Sequence, residues 1–211
     1  MTLIELAPLG TVHGVRMPRQ PRAETTMRRI VGAVRKLLQY KDMDAIRIEE
    51  VASLAGCSPP SIYARFKDKD TFTGVLFELH AAEVADGIAA FLAPDRWRGR
   101  SLSAFAQALA DYLLHLYRAD RNLYRAVLQC PDPAVRRRFT QATEHLSAQV
   151  AEALRVMDGG AGRIAPDRVR WALLQLVAAL QGNAVLGWMA PDDGTAITPH
   201  LAEMFVRAVG R

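Results

Sequence analysis

Apolar residues recur at three- and four-residue intervals along most of this chain, and no segment carries a convincing strand pattern. Ile30, Val34, Leu37 and Leu38 mark the buried stripe of a helix predicted from about Ala23 to Gln39, leaving Arg28, Arg29, Arg35 and Lys36 for its other faces. Asp42 to Ile46 reads as a connection. A second helix is predicted over Ile48–Leu54, and a third from Ser58 or Pro59 to Phe66. A fourth, capped by Asp68, should reach about Leu92, before Pro94 and Gly99 break the chain. Further helices are predicted over Leu102–Tyr117, Asn122–Gln129, Ala134–Met157, Asp167–Met189 and Pro199–Val209, with turns at Asp158–Gly162 and Pro191–Thr195. The pattern is that of an all-α protein with nine helices. Residues 1–22 show no sustained periodicity and carry Pro8, Gly10, Gly14, Pro18 and Pro21, so they read as a flexible basic arm whose Arg16, Arg19 and Arg22 suit either a mobile tail or contact with phosphates or a minor groove.

Composition narrows the class. With 211 residues, half of them apolar, the chain can bury a substantial core, and no apolar run reaches membrane-spanning length. The two cysteines, Cys57 and Cys130, form no disulfide framework or metal-ligand spacing, which fits a cytoplasmic protein without a metal, and Cys57 reads as a small core residue. His80, His115 and His145 fall on three different helices. The net charge of +5 is unevenly placed. Residues 15–75 hold 12 Lys and Arg against 7 Asp and Glu, while residues 76–211 hold 15 against 14. A basic amino-terminal module on a near-neutral body suits binding to phosphates. The chain has no GxSxG elbow, GxxxxGK loop, HExxH pair or Gly-rich dinucleotide fingerprint, so neither catalysis nor a cofactor is expected.

The segment Val51–Lys69 is the most specific signal. Ala52 and Gly56 stand four apart and Ile62 six further on: a small residue for a helix crossing, a residue tolerant of positive φ for a turn, and an apolar anchor. Ser58 can supply an N-cap oxygen, and Pro59 and Pro60 occupy first-turn positions where a missing amide hydrogen costs little. This is a helix-turn-helix, whose second helix enters the major groove. By spacing, Ser58, Pro59, Pro60, Ser61, Ala64 and Arg65 face base edges, and Arg65 can fork onto guanine or pair with phosphate. Tyr63 and Lys69 are assigned to phosphate, with Lys67 and Arg47 behind them. Either a solvated face or DNA contact suits Arg28 and Arg29.

The run from Ile30 through Ala33, Leu37-Leu38, Ile46-Arg47-Ile48-Glu49-Glu50-Val51-Ala52 and Ala55-Gly56-Cys57-Ser58-Pro59-Pro60-Ser61-Ile62-Tyr63-Ala64-Arg65-Phe66 to Lys69 resembles the amino-terminal domain of TetR-type regulators. The resemblance implies a homodimeric repressor with a DNA-binding domain over 23–70 and a larger effector-binding and dimerisation domain over 71–211. It implies Tyr63 and Lys69 as phosphate ligands and the Ser58–Arg65 helix as the reader of a palindromic operator. Arg47 departs from the pattern where Thr or Ser commonly caps, as do Asp42 and Pro60 where glycine is common. The implied pocket lies among helices between about 70 and 190. Phe91, Trp97, Phe105, Tyr112, His115, Tyr124, His145, Trp171 and Gln175 are its candidate liners, a set suited to an apolar or aromatic effector. The last two helices carry wide apolar faces with small residues between them. Trp171, Leu174, Ala178, Val185, Trp188, Leu201 and Phe205 are accordingly the expected dimer contacts.

Overall fold

The structure, a computed structural model, describes residues 12, 14–16, 20–157, 164–187 and 197–210, and those residues hold ten α-helices and no named strand. α1 spans Pro21–Leu38, α2 Ile48–Ala55, α3 Pro59–Tyr63, α4 Lys69–Leu92 and α5 Pro94–Trp97. α6 spans Leu102–Ala119, α7 Arg121–Gln129, α8 Pro133–Met157, α9 Pro166–Leu180 and α10 Ile197–Val209. The chain divides into two compact units, Met1–Ala85 with Asn122–Phe139, and Asp86–Arg121 with Thr140–Arg211.

In the first unit, α1 buries Met27, Ile30, Val31, Ala33, Val34, Leu37 and Leu38 and packs on α2. Its start is two residues earlier than the apolar period predicts. Pro21 takes the first helical position, where its fixed φ and absent N–H suit a helix start, so this proline begins α1 rather than breaking the arm. One 3₁₀ turn, Met43–Ala45, leads to α2. α2 ends at Gly56, whose φ of +59° puts it in the left-handed region. There the amides of Gly56 and Cys57 return to the carbonyls of Ser53 and Ala52, satisfying the helix end. Cys57 itself is half-buried, not a closed core position.

α4 begins as Asp68 predicts: its carboxylate accepts the Thr71 amide at 2.9 Å and the Thr71 hydroxyl at 2.8 Å. Residues 71–80 are buried throughout, and Glu78 and His80 among them find partners. Glu78 forms an ion pair with Arg138, and His80 Nε2 lies 2.8 Å from the Tyr124 hydroxyl. α7 is tied to the head of the unit by the Asn122 amide on the Leu38 carbonyl at 2.8 Å and by Arg125 on Asp42 at 2.7 Å.

In the second unit, α10 packs against α6 and α9. Phe105, Leu109 and Leu113 of α6, Leu173 and Leu176 of α9, and Phe205 of α10 are among its fully enclosed side chains. Ser101 caps α6 through its hydroxyl. A short helix, α5, fills the stretch that Pro94 and Gly99 predict as a break. Pro94 opens it, and the Trp97 indole N–H donates to the Phe91 carbonyl at 2.6 Å. α9 stops short of the predicted Met189. From Gln181 to Val185 the backbone widens into a π turn, with the Leu186 amide on the Gln181 carbonyl. Within it the Gln181 amide donates to the buried Tyr117 hydroxyl at 3.2 Å, and burial pushes the Tyr117 phenol up to about 12. No helix among the described residues is long and apolar enough to cross a membrane.

Candidate nucleic-acid interface

α3 is only five residues long, too short to be stable alone. Ile62, with none of its surface exposed, is its one buried residue, and Phe66 just beyond is also enclosed and packs tilted against Phe72 with ring centres 4.6 Å apart. With these two turned inward, every other residue from Ser58 to Arg65 keeps some exposure. Ser58, Pro60 and Ala64 are exposed, Pro59, Ser61 and Arg65 half-buried, and Tyr63 is 59% exposed. The residues expected to read bases therefore all reach the surface to some degree. Its N-cap differs from expectation. Ser58 occupies the cap position with an extended backbone but makes no side-chain cap bond; its hydroxyl lies 3.1 Å from that of Ser61 instead. With Pro60 at the second helical position, one of the two amides a cap side chain would serve is absent, and the Ser61 amide goes to the Ser58 carbonyl at 2.9 Å.

The cations around α3 sort by partner. Arg65 donates through Nη1 to the Ser61 carbonyl at 2.6 Å, which lays the guanidinium along its own helix. Lys69 donates to the Asp44 carbonyl at 3.0 Å and so bridges α4 to the 3₁₀ turn. Lys67 is exposed, 3.9 Å from the Asp68 carboxylate. Arg47 is exposed and precedes α2, where the Glu50 carboxylate accepts its backbone amide at 3.1 Å. Glu50 also pairs with Lys41. That bond, then the Arg47 amide, hold the Glu50 carboxyl below the usual range. Glu50 thereby supplies the end closure that Arg47 cannot. The two α1 arginines are distinguished as well. Arg28 is paired with Glu24, whereas Arg29 is exposed and lies over the helix-turn-helix bend, 3.4 Å from where a Cβ at Gly56 would stand.

The candidate effector residues do not all assemble. Phe91, Trp97, Phe105 and Tyr112 form one aromatic cluster in the second unit. Phe91 stacks on Tyr112 at 4.7 Å, Trp97 meets Phe105 edge-on at 4.9 Å, and the Arg96 guanidinium lies 5.2 Å from the Phe91 ring centre. Burial raises the Tyr112 phenol above its ordinary value. Tyr124 belongs to the first unit, closed against His80. His115, His145, Trp171 and Gln175 are exposed and join no part of the cluster that these contacts define. Nothing in the apolar period singles out Ser147 of α8. It is buried, and its hydroxyl has no hydrogen-bond partner among the described residues. Removing an unsatisfied buried hydroxyl removes its desolvation cost. Ser147→Ala is therefore expected to stabilise the ligand-free protein by up to about 1–3 kcal/mol, read as a higher denaturant midpoint at unchanged slope.

The expected dimer residues also divide. Trp171 is 61% exposed with Arg170 over its ring at 5.5 Å, Leu174 is half-buried and Ala178 exposed. Val185, Leu201 and Phe205 are buried within the chain, Val185 where the π turn packs on α6 and α9, and Leu201 and Phe205 because α10 turns its apolar face onto α6 and α9. Met204 of α10 is the large apolar residue left outward there. Trp188 lies outside the described residues.

Residues 30–73 match the family described as bacterial regulatory proteins, tetR family. No curated protein sequence matches the chain. Among solved structures, a protein of Mesorhizobium loti assigned to the TetR family of transcriptional regulators superposes with a TM-score of 0.65 at 22% identity, over 90% of this chain and 96% of that one. A TetR transcription regulator from Haloarcula marismortui gives 0.65 at 19% identity over 89% and 98%. The multidrug binding protein EbrR, complexed with imidazole, gives 0.60 at 21% identity over 92% and 94%. These likenesses extend the family's fold over nearly the whole chain, well past the matched segment. The helix-turn-helix segment over residues 30–73 thus matches the tetR family, and the chain as a whole has the fold of these solved regulators.

Proposed function

We propose that the protein is a non-enzymatic, homodimeric, cytoplasmic repressor that binds a palindromic operator and is released from it by a small apolar or aromatic effector. Residues 23–70 act as the DNA-binding domain and 71–211 as the effector-binding and dimerisation domain. The observation that carries the reading is the outward face of α3, from Ser58 to Arg65, held by a single buried residue. Ser58, Pro59, Pro60, Ser61, Ala64 and Arg65 read bases, while Tyr63, Lys69, Lys67, Arg47 and the exposed Arg29 take phosphates. The second copy covers Trp171, Leu174, Ala178 and Met204, since outward tryptophan and methionine on the last two helices suit burial against an identical surface.

Effector release follows as a population shift: a ligand that prefers the form with mismatched reading heads lowers operator affinity in proportion to that preference. The seat best supported is the Phe91, Trp97, Phe105 and Tyr112 cluster, with Ser147 as a polar group in the same unit. EbrR, of the same fold, is named as a multidrug binding protein, which favours an apolar or aromatic ligand here.

The test is sedimentation of the pure protein, followed by fluorescence anisotropy on duplexes tiled across the DNA upstream of its own and neighbouring genes. Two chains per particle and sequence-selective binding at physiological salt are expected. A monomer, or affinity equal on all sequences, overturns the reading. Dimeric, selective binding that no compound in a metabolite library weakens would leave an effector-less DNA-binding protein. Arg65→Ala is expected to weaken the best duplex by about 1–3 kcal/mol. A loss confined to one base identity marks a guanine contact, and an even loss on all sequences marks phosphate.

A further inference from the structure

The segment just before α1 is built onto the exit of the reading helix. Val15 and Phe66 form an antiparallel bridge. On either side of it the Arg16 amide donates to the Arg65 carbonyl at 2.9 Å and the Lys67 amide donates to the Gly14 carbonyl at 3.2 Å. The Val15 amide closes a turn onto the Val12 carbonyl. Two glycines make this docking possible. Gly14 has φ +86°, and a Cβ there would stand 2.8 Å from Thr71 Oγ1 and 3.3 Å from the Lys67 Cβ. At Gly74 of α4, a Cβ would stand 3.1 Å from Val12 Cγ1 and 3.4 Å from Val135 Cγ2, so Val12 fills the notch that the absent side chain leaves.

The consequence is electrostatic. Arg16 is exposed and makes no ion pair among the described residues, whereas Arg28, Arg35, Lys41 and Arg125 of the same unit each pair with a carboxylate. The bridge fixes the Arg16 backbone opposite Arg65 and two residues along from Gly14, which faces Lys67. Three cationic residues are thus brought to one edge of the reading helix, and with only the Asp68 carboxylate, 3.9 Å from Lys67, beside them the edge favours a further anion.

We propose that Val12 with residues 14–16 forms a strap that sets Arg16 as an added phosphate contact, extending the DNA-binding face with Arg65 and Lys67 beyond the helix-turn-helix itself. The proposal rests on the reading of α3 as a DNA reader and adds to it a contact from outside the 23–70 domain. Arg16 supplies charge, Gly14 permits the close approach, and Val12 is the anchor.

The experiment measures anisotropy of a fluorescein-labelled duplex of mixed sequence over a salt series, with wild type, Arg16→Ala, Arg16→Lys and Gly14→Val. Each phosphate contact contributes about 0.9 to the slope of log affinity on log salt. Arg16→Ala should lower that slope by about 0.9 per bound head, and Arg16→Lys should keep the wild-type slope. Gly14→Val retains the arginine but displaces the strap, so it should lose as much as Arg16→Ala, and combining the two should cost nothing more. A wild-type slope for Arg16→Ala overturns the proposal whatever Gly14→Val does, and so does a wild-type slope for a folded Gly14→Val. Wild-type protein with no affinity for the duplex at low salt overturns the DNA reading of α3 instead, a distinct failure.

Discussion

Replacing Ile62 by alanine is expected to lower the unfolding free energy by about 2–5 kcal/mol and to remove measurable operator affinity, although Ile62 touches no DNA. The side chain is wholly enclosed and is the one buried residue of a five-residue helix. A helix this short draws nothing from its own cooperativity, so its position depends on that anchor and on Phe66 after it. Chemical denaturation reads the first effect and anisotropy on the best-binding duplex reads the second. Tyr63→Ala is the matched control. Its ring is mostly exposed, so stability should stay within about 0.5 kcal/mol while DNA affinity falls. If Ile62→Ala binds as wild type does, α3 is not held in the manner described.

Phe105→Ala should cost about 3–5 kcal/mol of stability, the range for emptying a filled aromatic site. Phe105 has no exposed surface and meets the rings of Trp97 and Phe91 with centres at 4.9 Å and 6.3 Å. The space left would be lined by apolar rings. Such a cavity stays dry and accepts a small aromatic, so benzene should restore part of the lost midpoint. Phe105→Leu, which keeps most of the volume, should lose much less. A Phe105→Ala protein as stable as wild type would mean the cluster is not closed on this ring. If the cluster is also the effector's seat, this variant should respond differently to ligand while binding operator unchanged, since Phe105 lies far along the sequence from α3 and in the other unit.

The helices were legible because most of them bury a stripe at helical spacing, and the stripe is in the residues themselves. α2 and α3 could be placed within a few residues from Ala52, Gly56 and Ile62, since a turn with positive φ leaves a glycine behind. Prolines were harder to interpret. Pro21 and Pro94 look like breakers but open α1 and α5, because the same ring that ends one helix suits the first turn of the next. The π turn after α9 has no residue pattern of its own. Contacts between distant segments left no local mark either: neither the pairing of Val15 with Phe66 nor the exclusion of His115 and His145 from the aromatic cluster follows from spacing. Residue type predicts that an aromatic or histidine can line a pocket. Only tertiary packing decides which of them meet.

That two enclosed side chains, Ile62 and Phe66, hold α3 has a bearing on how a DNA-reading surface there would diversify. Substitutions at Pro60, Ser61, Ala64 or Arg65 alter what the groove-facing surface offers without drawing on the stability of the core beneath. Target preference can therefore drift by single steps while the scaffold stays intact, and a gene duplicate could acquire a new promoter long before it needed a new ligand.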